Sequence, residues 1–510
     1  MHGTQGNPAA PPSIADRDWI TESPHGDGPR TDRLSADEKL RLAECSAEPI
    51  HLLGRVQSHG SLLVVDRGVI TVVSADRTPW LGLPLAEAHP ALAAAVEGLR
   101  EECPTPRVAI DGHPHDVMVH KSGSHTLVEI EPAIASEEFS ESGIVATIHR
   151  LSRISDPDEL LRTAAREIKA ATGFDRVLGY RFFVDGHGQV LADEHAPGME
   201  PLLGLHFPAS DVPAQARELY VSKLSRSIAD TADPGQAVRY LNETAHAIDL
   251  GQSELRMASP HHLEFMRNMG QVATFTLSLV DGDQLIGMFT CAHREPRRLP
   301  LQLRSMLEVL ARLVAANLAA SREISRLRRQ LDYKQRRAEF VAPLYGSQHL
   351  RSVLEGARAT VRDLISSDGV YLRFGEETHM VGKVPQADQV ARFLEVQGTR
   401  AFVTDALTLE HPELAGHLPG VAGVVVVPLL QEGDCLVFFR GDVAREVDWL
   451  GDQSAANRDT PLSPRRSFSR WRESVTGRSI PWGADAEEAF ALGEDIRKAL
   501  TARENAQLAE

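Results

Sequence analysis

His206–Tyr220 reads HFPASDVPAQARELY, and the organisation of the chain turns on it. Pro208 and Pro213 fix φ and remove two backbone donors, so Ala209–Val212 cannot join a sheet ladder. The segment therefore offers its carbonyls, and the carboxylate of Asp211, to whatever lies beside it. Read alone, it is a helix entry with Pro213 at or near the first turn. Two other stretches change that reading: Cys45–Gly60, CSAEPIHLLGRVQSHG, and Met257–Gly270, MASPHHLEFMRNMG.

The 510 residues suggest three domains, taking a domain as roughly 150 residues. A net charge of −17 argues against a nucleic-acid surface, because phosphate contacts need clustered Lys and Arg. No apolar run approaches the ~20 residues that span a bilayer, so no membrane partner is expected. The N-terminus shows no basic-then-apolar signal pattern. Four cysteines, at 45, 103, 291 and 435, are too few and too scattered for a disulfide framework or a paired zinc motif. A cytoplasmic protein is expected.

Residues 1–33, rich in Pro, Gly, Asp and Arg, read as a disordered arm. Ser35–Ala47 suits a short helix. Strand-like runs follow at Ser61–Asp66, Val69–Ser74, Asp116–His120 and Thr126–Glu131, with a turn signal at Asp66–Gly68 and helical stretches between the strand pairs. A second domain opens on a helix capped by Asp156, with Pro157 in its first turn and Gly173 at its end. Leu160, Leu161, Ala164, Ala165 and Ile168 form its apolar stripe. Strands at Arg176–Phe182 and Gln189–Asp193 follow, and then a hairpin, Ala273–Val280 and Leu285–Cys291. From Leu303 apolar residues recur at three- and four-residue spacing through Leu331, running into a charged stretch that one domain cannot bury. A solvent-bridging helix is expected, with a parallel dimer seam as its candidate partner. A third domain carries strands at Gly369–Phe374, Val421–Leu430 and Cys435–Arg440. Residues 441–482 lose periodicity over a span too long for an ordinary loop, which points to a function. A helical pattern through Phe490, Leu492, Ile496 and Leu500 closes the chain, and no kinase catalytic motif is present.

On chemistry alone Cys45 stays open: free thiol, nucleophile, metal ligand or covalent cofactor anchor. A Cys–His nucleophile would need an oriented partner and an oxyanion donor pair, and metal binding would want more soft ligands close by. A thioether needs only one accessible thiol beside a cofactor pocket.

Together the three stretches resemble the bilin-binding core of bacteriophytochromes, biliverdin-carrying red/far-red photoreceptors. Pro464–Trp482, PRRSFSRWRESVTGRSIPW, resembles the tongue of a phytochrome-specific domain. The four motifs stand in the family's order. The resemblance implies an α+β chain of three tandem domains with antiparallel sheets, linked by a long helix: PAS at 34–135 with the chromophore-anchoring segment, GAF at 145–320, and PHY at 321–510 with a tongue at about 441–482 and a C-terminal helix.

By the same resemblance Cys45, standing before Glu48–His51, forms a thioether to biliverdin. The position before His262, a cysteine in plant and many cyanobacterial phytochromes, is His261 here, which points to biliverdin rather than more reduced bilins. The backbone carbonyl of Asp211 accepts from the inner pyrrole nitrogens, with His262 on the other side. Buried donors need such acceptors. Arg226, Arg256, Thr274 and Thr276 take the propionates, helped by Ser259 and His262. Tyr180, Phe207 and Phe265 wall the D ring, and Tyr220 supports the Asp211 segment. Arg465 pairs with Asp211 in one state and Ser467 takes over in the other, so that refolding of the tongue converts ring rotation into a pull on the helices.

Several positions depart from the family pattern. The threonines at 274 and 276 replace serines, Phe265 replaces a tyrosine, and Trp449-Leu450-Gly451 stands where TrpGlyGly is usual. Cys291–His293 reads CysAlaHis, so Ala292 occupies the place of a histidine that bonds the D-ring carbonyl. His293, one residue along the strand, is expected on the opposite face. The implied function is a red/far-red photosensory module, not itself an enzyme. It would dimerise through its long helices and serve an output outside this chain, such as a histidine kinase or a response-regulator partner. The alternatives are a non-photochemical GAF/PAS sensor of a cyclic nucleotide or haem, and a thiol enzyme centred on Cys45.

Overall fold

The computed structural model describes residues 48–97, 107–134, 141–183, 186–242, 247–346, 350–356, 361–362, 364–452, 454–459 and 463–509. Cys45, the expected helix Ser35–Ala47 and the expected arm at 1–33 lie outside them. The described residues form two compact units. One holds the chain up to Ser321 together with Asp448–Trp471, and the other holds Arg322–Val447 and Arg472–Glu510.

The first unit contains two sheets. Ser61–Asp66 and Val69–Ser74 are β-branched runs joined across Arg67 and Gly68, whose φ values of 47° and 83° are those of a tight primed turn. They pair with each other and, through Ser61–Asp66, with His125–Pro132, then His113–Ser122 and Val108–Ile110. One face buries Leu63, Val73, Val117 and Val128 beneath Leu92 and Ala93 of the helix Pro90–Glu97. The sheet's other edge was not legible in the sequence. Gln236–Tyr240, from the expected second domain, pairs antiparallel with Val69–Ser74, and Arg55–Val56 pairs with it in turn, completing seven strands.

The second sheet runs Ser225–Ile228, Ala273–Asp281, Gln284–His293, Arg176–Phe182, Gly188–His195, His206–Phe207. It continues into Arg445–Leu450 and Arg470–Val475, of which Asp448–Leu450 and Arg470–Trp471 belong to this unit. The helix Pro157–Thr172 packs on it as its sequence requires. Asp156 accepts from the Glu159 N–H, Gly173 closes the helix at φ 63°, and the five stripe residues are buried.

The other unit is a five-stranded antiparallel sheet, Glu377–Gly382, Gly369–Phe374, Cys435–Gly441, Val421–Pro428, Phe402–Thr404. Its continuous apolar strands are covered on both faces. Leu492, Ile496 and Ala499 of the C-terminal helix Ala484–Ala509 pack on one, and Val390, Phe393 and Leu394 of Ala387–Gln397 on the other.

The long helix spans Leu301–Val341, beginning two residues before the first periodic leucine, and contributes residues to both units. Leu307, Leu310, Val314 and Leu318 are buried, whereas Ile324, Leu327 and Leu331 are exposed. Among the described residues no helix is long and apolar enough to cross a membrane, and no cluster of His, Cys, Asp and Glu could hold a metal ion.

Candidate functional site

A cavity of about 190 Å³ opens in the first unit against the second sheet. Eleven of the residues singled out from the sequence line it: Tyr180, Phe207, Asp211, Tyr220, Arg226, Arg256, Ser259, His262, Phe265, Thr274 and Thr276. They come from seven helices, turns and strands and from the segment that carries Arg256, and the sheet register explains how several of them converge. Thr274 and Thr276 share a face of Ala273–Asp281, and Arg226 lies directly opposite Thr276 on Ser225–Ile228. On the other side Thr276 faces Thr290 and Thr274 faces Ala292.

The proline-bracketed segment makes a wall. Ala209–Asp211 forms a 3-10 turn between Pro208 and Pro213, and Ala214–Ser222 follows as a helix carrying Tyr220. Asp211 is ion-paired with Arg465, whose guanidinium also donates to the Leu450 carbonyl and lies 5.0 Å from the centre of the Phe468 ring. The Asn268 amide fixes the Arg465 carbonyl at 3.0 Å. Ser467 is exposed; its N–H donates to the Asn457 side chain at 2.9 Å, and it makes no contact with Asp211.

Ser259 caps the helix Pro260–Asn268, accepting from the His262 N–H, and that helix presents His262 and Phe265 to the cavity. Burial, then the positive charges of Arg226 and neighbouring groups, push the His262 imidazole down to about 4, so it is neutral near pH 7. Phe265 meets Phe468 edge to face at 5.1 Å. Across the cavity the Tyr180 ring meets Phe207 at 4.8 Å and 73°, and its hydroxyl shares a 2.5 Å hydrogen bond with Thr290 Oγ1. A Cβ on Gly188 would fall 2.0 Å from the Phe207 ring, so only glycine leaves that ring its seat.

Two cations dominate the electrostatics. Arg226 donates to the Arg256 carbonyl, and Arg256 donates to the Ile50 carbonyl at 2.9 Å. Burial acts against the charge on both, and each guanidinium keeps a buried nitrogen with no hydrogen-bond partner among the described residues, Nη1 of Arg226 and Nε of Arg256. Buried, unpaired guanidinium donors beside a cavity are fitted to carboxylates.

Some lining residues were not singled out from the sequence. Thr290 lies two residues before Ala292 on one face of a strand, a signal that period-two reading could have found. Burial pulls the Lys223 pKa down more than any single neighbour raises it, but Glu254 and Glu308 together with the Glu254 hydrogen bond hold it above its ordinary value. Leu450, which departs from the family's TrpGlyGly but was not read as a site residue, contributes a buried isobutyl group to the wall. His293 behaves as its parity requires: it faces away, with Nδ1 3.2 Å from the Asp175 nitrogen and its ring against Phe174.

Comparison with known proteins now adds to this geometry. Family models match the chain in three consecutive regions: "PAS fold" at 45–133, "GAF domain" at 156–318 and "Phytochrome region" at 333–505. A bacteriophytochrome of Xanthomonas campestris pv. campestris is 30% identical over 493 residues, covering 88% of this chain and 77% of that protein. The chain belongs to the phytochrome family.

Cyanobacterial phytochrome A of a Nostoc species is 28% identical over 506 residues, which are 91% of this chain and 65% of that relative. The crystal structure of a bacteriophytochrome from the photosynthetic bacterium R. palustris superposes with a TM-score of 0.76 at 29% identity, covering 91% of this chain and 99% of its own. The photosensory core module of a Stigmatella aurantiaca phytochrome gives 0.73 at 27%, covering 91% and 98%. The architecture is therefore that of a phytochrome photosensory core, PAS, GAF and PHY in series, with mixed helix and sheet, antiparallel sheets and a long helix. This phytochrome is a red/far-red photoreceptor module whose family carries a bilin, and a cyclic-nucleotide or haem sensor is not favoured.

Proposed function

We propose that the chain binds biliverdin through a thioether at Cys45 and switches between red- and far-red-absorbing states. The two partly unpaired arginines at the cavity, Arg226 and Arg256, are the observation that carries this reading, because a bilin brings two carboxylates to one place. Bound biliverdin supplies visible-light absorption and a double bond that isomerises beside the D ring.

The chain's own residues then do the following. Arg226 and Arg256, with Thr274, Thr276 and Ser259, hold the propionates by charge-assisted bonds. Neutral His262 and the Asp211 carbonyl stand ready as acceptors for pyrrole N–H groups. Tyr180, Phe207 and Phe265 bound the space in which the D ring turns, and Tyr220 backs the Asp211 segment. Ala292 offers that ring no hydrogen bond.

The Asp211–Arg465 pair belongs to one state, and in the other Ser467 replaces Arg465 as the tongue changes from strand to helix. The exposed row Ile324, Leu327 and Leu331, at three- and four-residue spacing, suits a parallel homodimer seam. The module acts in the cytoplasm on an output such as a histidine kinase domain or a response-regulator partner, and the bilin module itself is not an enzyme.

The test is an absorption spectrum of the chain mixed with biliverdin, taken before and after red and far-red light. Two reversibly interconverting bands support the reading. A spectrum that stays that of free biliverdin overturns it.

A further inference from the structure

Glu129 lies on the strand His125–Pro132 of the first sheet and is fully buried, a costly place for a carboxylate. Three of its four hydrogen bonds leave that sheet. Oε1 accepts from the Ser253 hydroxyl and from the Leu255 N–H at 2.8 Å, and Oε2 accepts from the Glu254 N–H at 2.9 Å. The fourth joins Oε2 to His120 Nε2 at 2.8 Å. The carboxylate thus grips three consecutive residues more than a hundred positions away, and the next residue is Arg256.

The same segment is held on its other edge by backbone. The Gln57 N–H donates to the Leu255 carbonyl at 2.7 Å, and the Met257 N–H donates to the Arg55 carbonyl at 3.1 Å. In extended chain, neighbours point to opposite sides. Leu255 enters the apolar cluster of the first sheet with Leu62, Val64 and Leu127, while Arg256 reaches the cavity. Gly60 makes the seat for Leu255, since a Cβ there would lie 2.6 Å from its side chain. A slip of one residue would exchange Leu255 for Arg256. Glu129 opposes that slip by taking the N–H groups of both residues before the arginine.

We propose that Glu129 is a positioning residue for Arg256: a carboxylate in the first domain sets the place of a cation in the binding cavity of the second. The proposal rests on the reading that Arg256 meets a bilin propionate. It predicts that loss of Glu129 erodes recognition of the ligand's carboxylates specifically, with the apolar part of binding left intact.

The test uses the full chain carrying Cys45→Ala, so that binding is reversible, titrated with biliverdin and with its dimethyl ester. The parent should prefer the free acid. In Glu129→Gln one oxygen becomes an NH₂ that confronts a donor, and the acid-over-ester ratio should fall about tenfold, the scale of a charge-assisted bond. Ester affinity should hold. Arg256→Gln should give the same fall, and the double variant no further one. Ser253→Ala, which removes one donor and keeps the fold, should give a smaller fall in the same ratio.

An unchanged ratio in Glu129→Gln, or equal loss of acid and ester binding, overturns the proposal and leaves Glu129 a packing residue. A parent with no preference for the acid overturns the propionate reading itself, a separate and distinguishable failure.

Discussion

Asp211 and Arg465 are 254 residues apart in sequence and form an ion pair in which the two side chains are 9% and 1% exposed. Both were singled out from separate motifs, and it was the family resemblance that implied their pairing. Removing one partner of a buried pair strands the other, a cost of ~3–5 kcal/mol. Asp211→Ala and Arg465→Ala should therefore each shift the balance of the two light states by a similar amount. The double variant should cost less than the sum, because one contact is lost twice. The measurement is the photoproduct fraction at photoequilibrium and its thermal reversion, and strict additivity would count against direct pairing.

Covalent attachment should depend on Cys45, the cysteine in the matching anchor position, and not on the two buried cysteines of the described residues. Cys291 is fully buried, and burial pushes its thiol well above the usual range; Cys435 is buried too and rises to about 11. Neither offers a thiolate near neutral pH. Cys45→Ala should abolish zinc-induced bilin fluorescence on a denaturing gel, while Cys291→Ala keeps it. The reverse pattern would move the anchor.

Acid should destabilise the ligand-free chain between pH 6.5 and 4. His262 and His59 are each depressed from 6.5 to about 4, chiefly by burial, so the unfolded chain binds protons in that window that the folded chain does not. Stability is thus complete above the unfolded value and is lost as pH falls toward the folded one. Solvent reaches the cavity, so His262 should contribute on the order of 1–2 kcal/mol rather than the full linkage value. Calorimetry of the ligand-free chain from pH 7 to 4.5 should show a falling Tm, with a shallower slope in His262→Gln. An identical slope would mean that His262 is not held neutral.

Ala292 faces Thr274 across the hairpin, on the strand face that carries Thr290 toward Tyr180. An imidazole there would add a bond worth ~0.5–1.5 kcal/mol net. Ala292→His should change both photoproduct yield and reversion rate, measured by absorption after saturating light. Such a bond can orient the ring and also resist its rotation, so the two quantities need not move together. Unchanged spectra, yields and rates would show that residue 292 does not govern the ring.

What could be read from sequence follows the range of the interactions involved. The helix Pro157–Thr172 was legible to its caps, because Asp156, Pro157 and Gly173 act within a turn of where they sit. The strands Ser61–Asp66 and Gly369–Phe374 were legible because short apolar runs between turn residues need no distant information. The cavity residues were legible only as motifs, since register across three strands, not spacing along any one, brings Arg226, Thr276 and Thr290 together. Arg445–Leu450 and Arg470–Val475 escaped because they lie in a long polar stretch where Val447 and Trp449 give only one short alternation and charged residues fill most other positions. Glu129 escaped for the same reason in reverse: within EIE of a strand it reads as a solvated charge, and only the fold shows it covered.

The strand Gln236–Tyr240 has a further consequence. It sits inside the first sheet, between Arg55–Val56 and Val69–Ser74, although its chain neighbours build the second. Severing the peptide between residues 134 and 141 would consequently free neither half. The amino-terminal fragment would expose a raw sheet edge, and the remainder would carry an orphaned ribbon of backbone donors and acceptors. Evolution could shuffle these two modules between proteins only as a single cassette, and a ribosome cannot finish the first before it has translated well into the second.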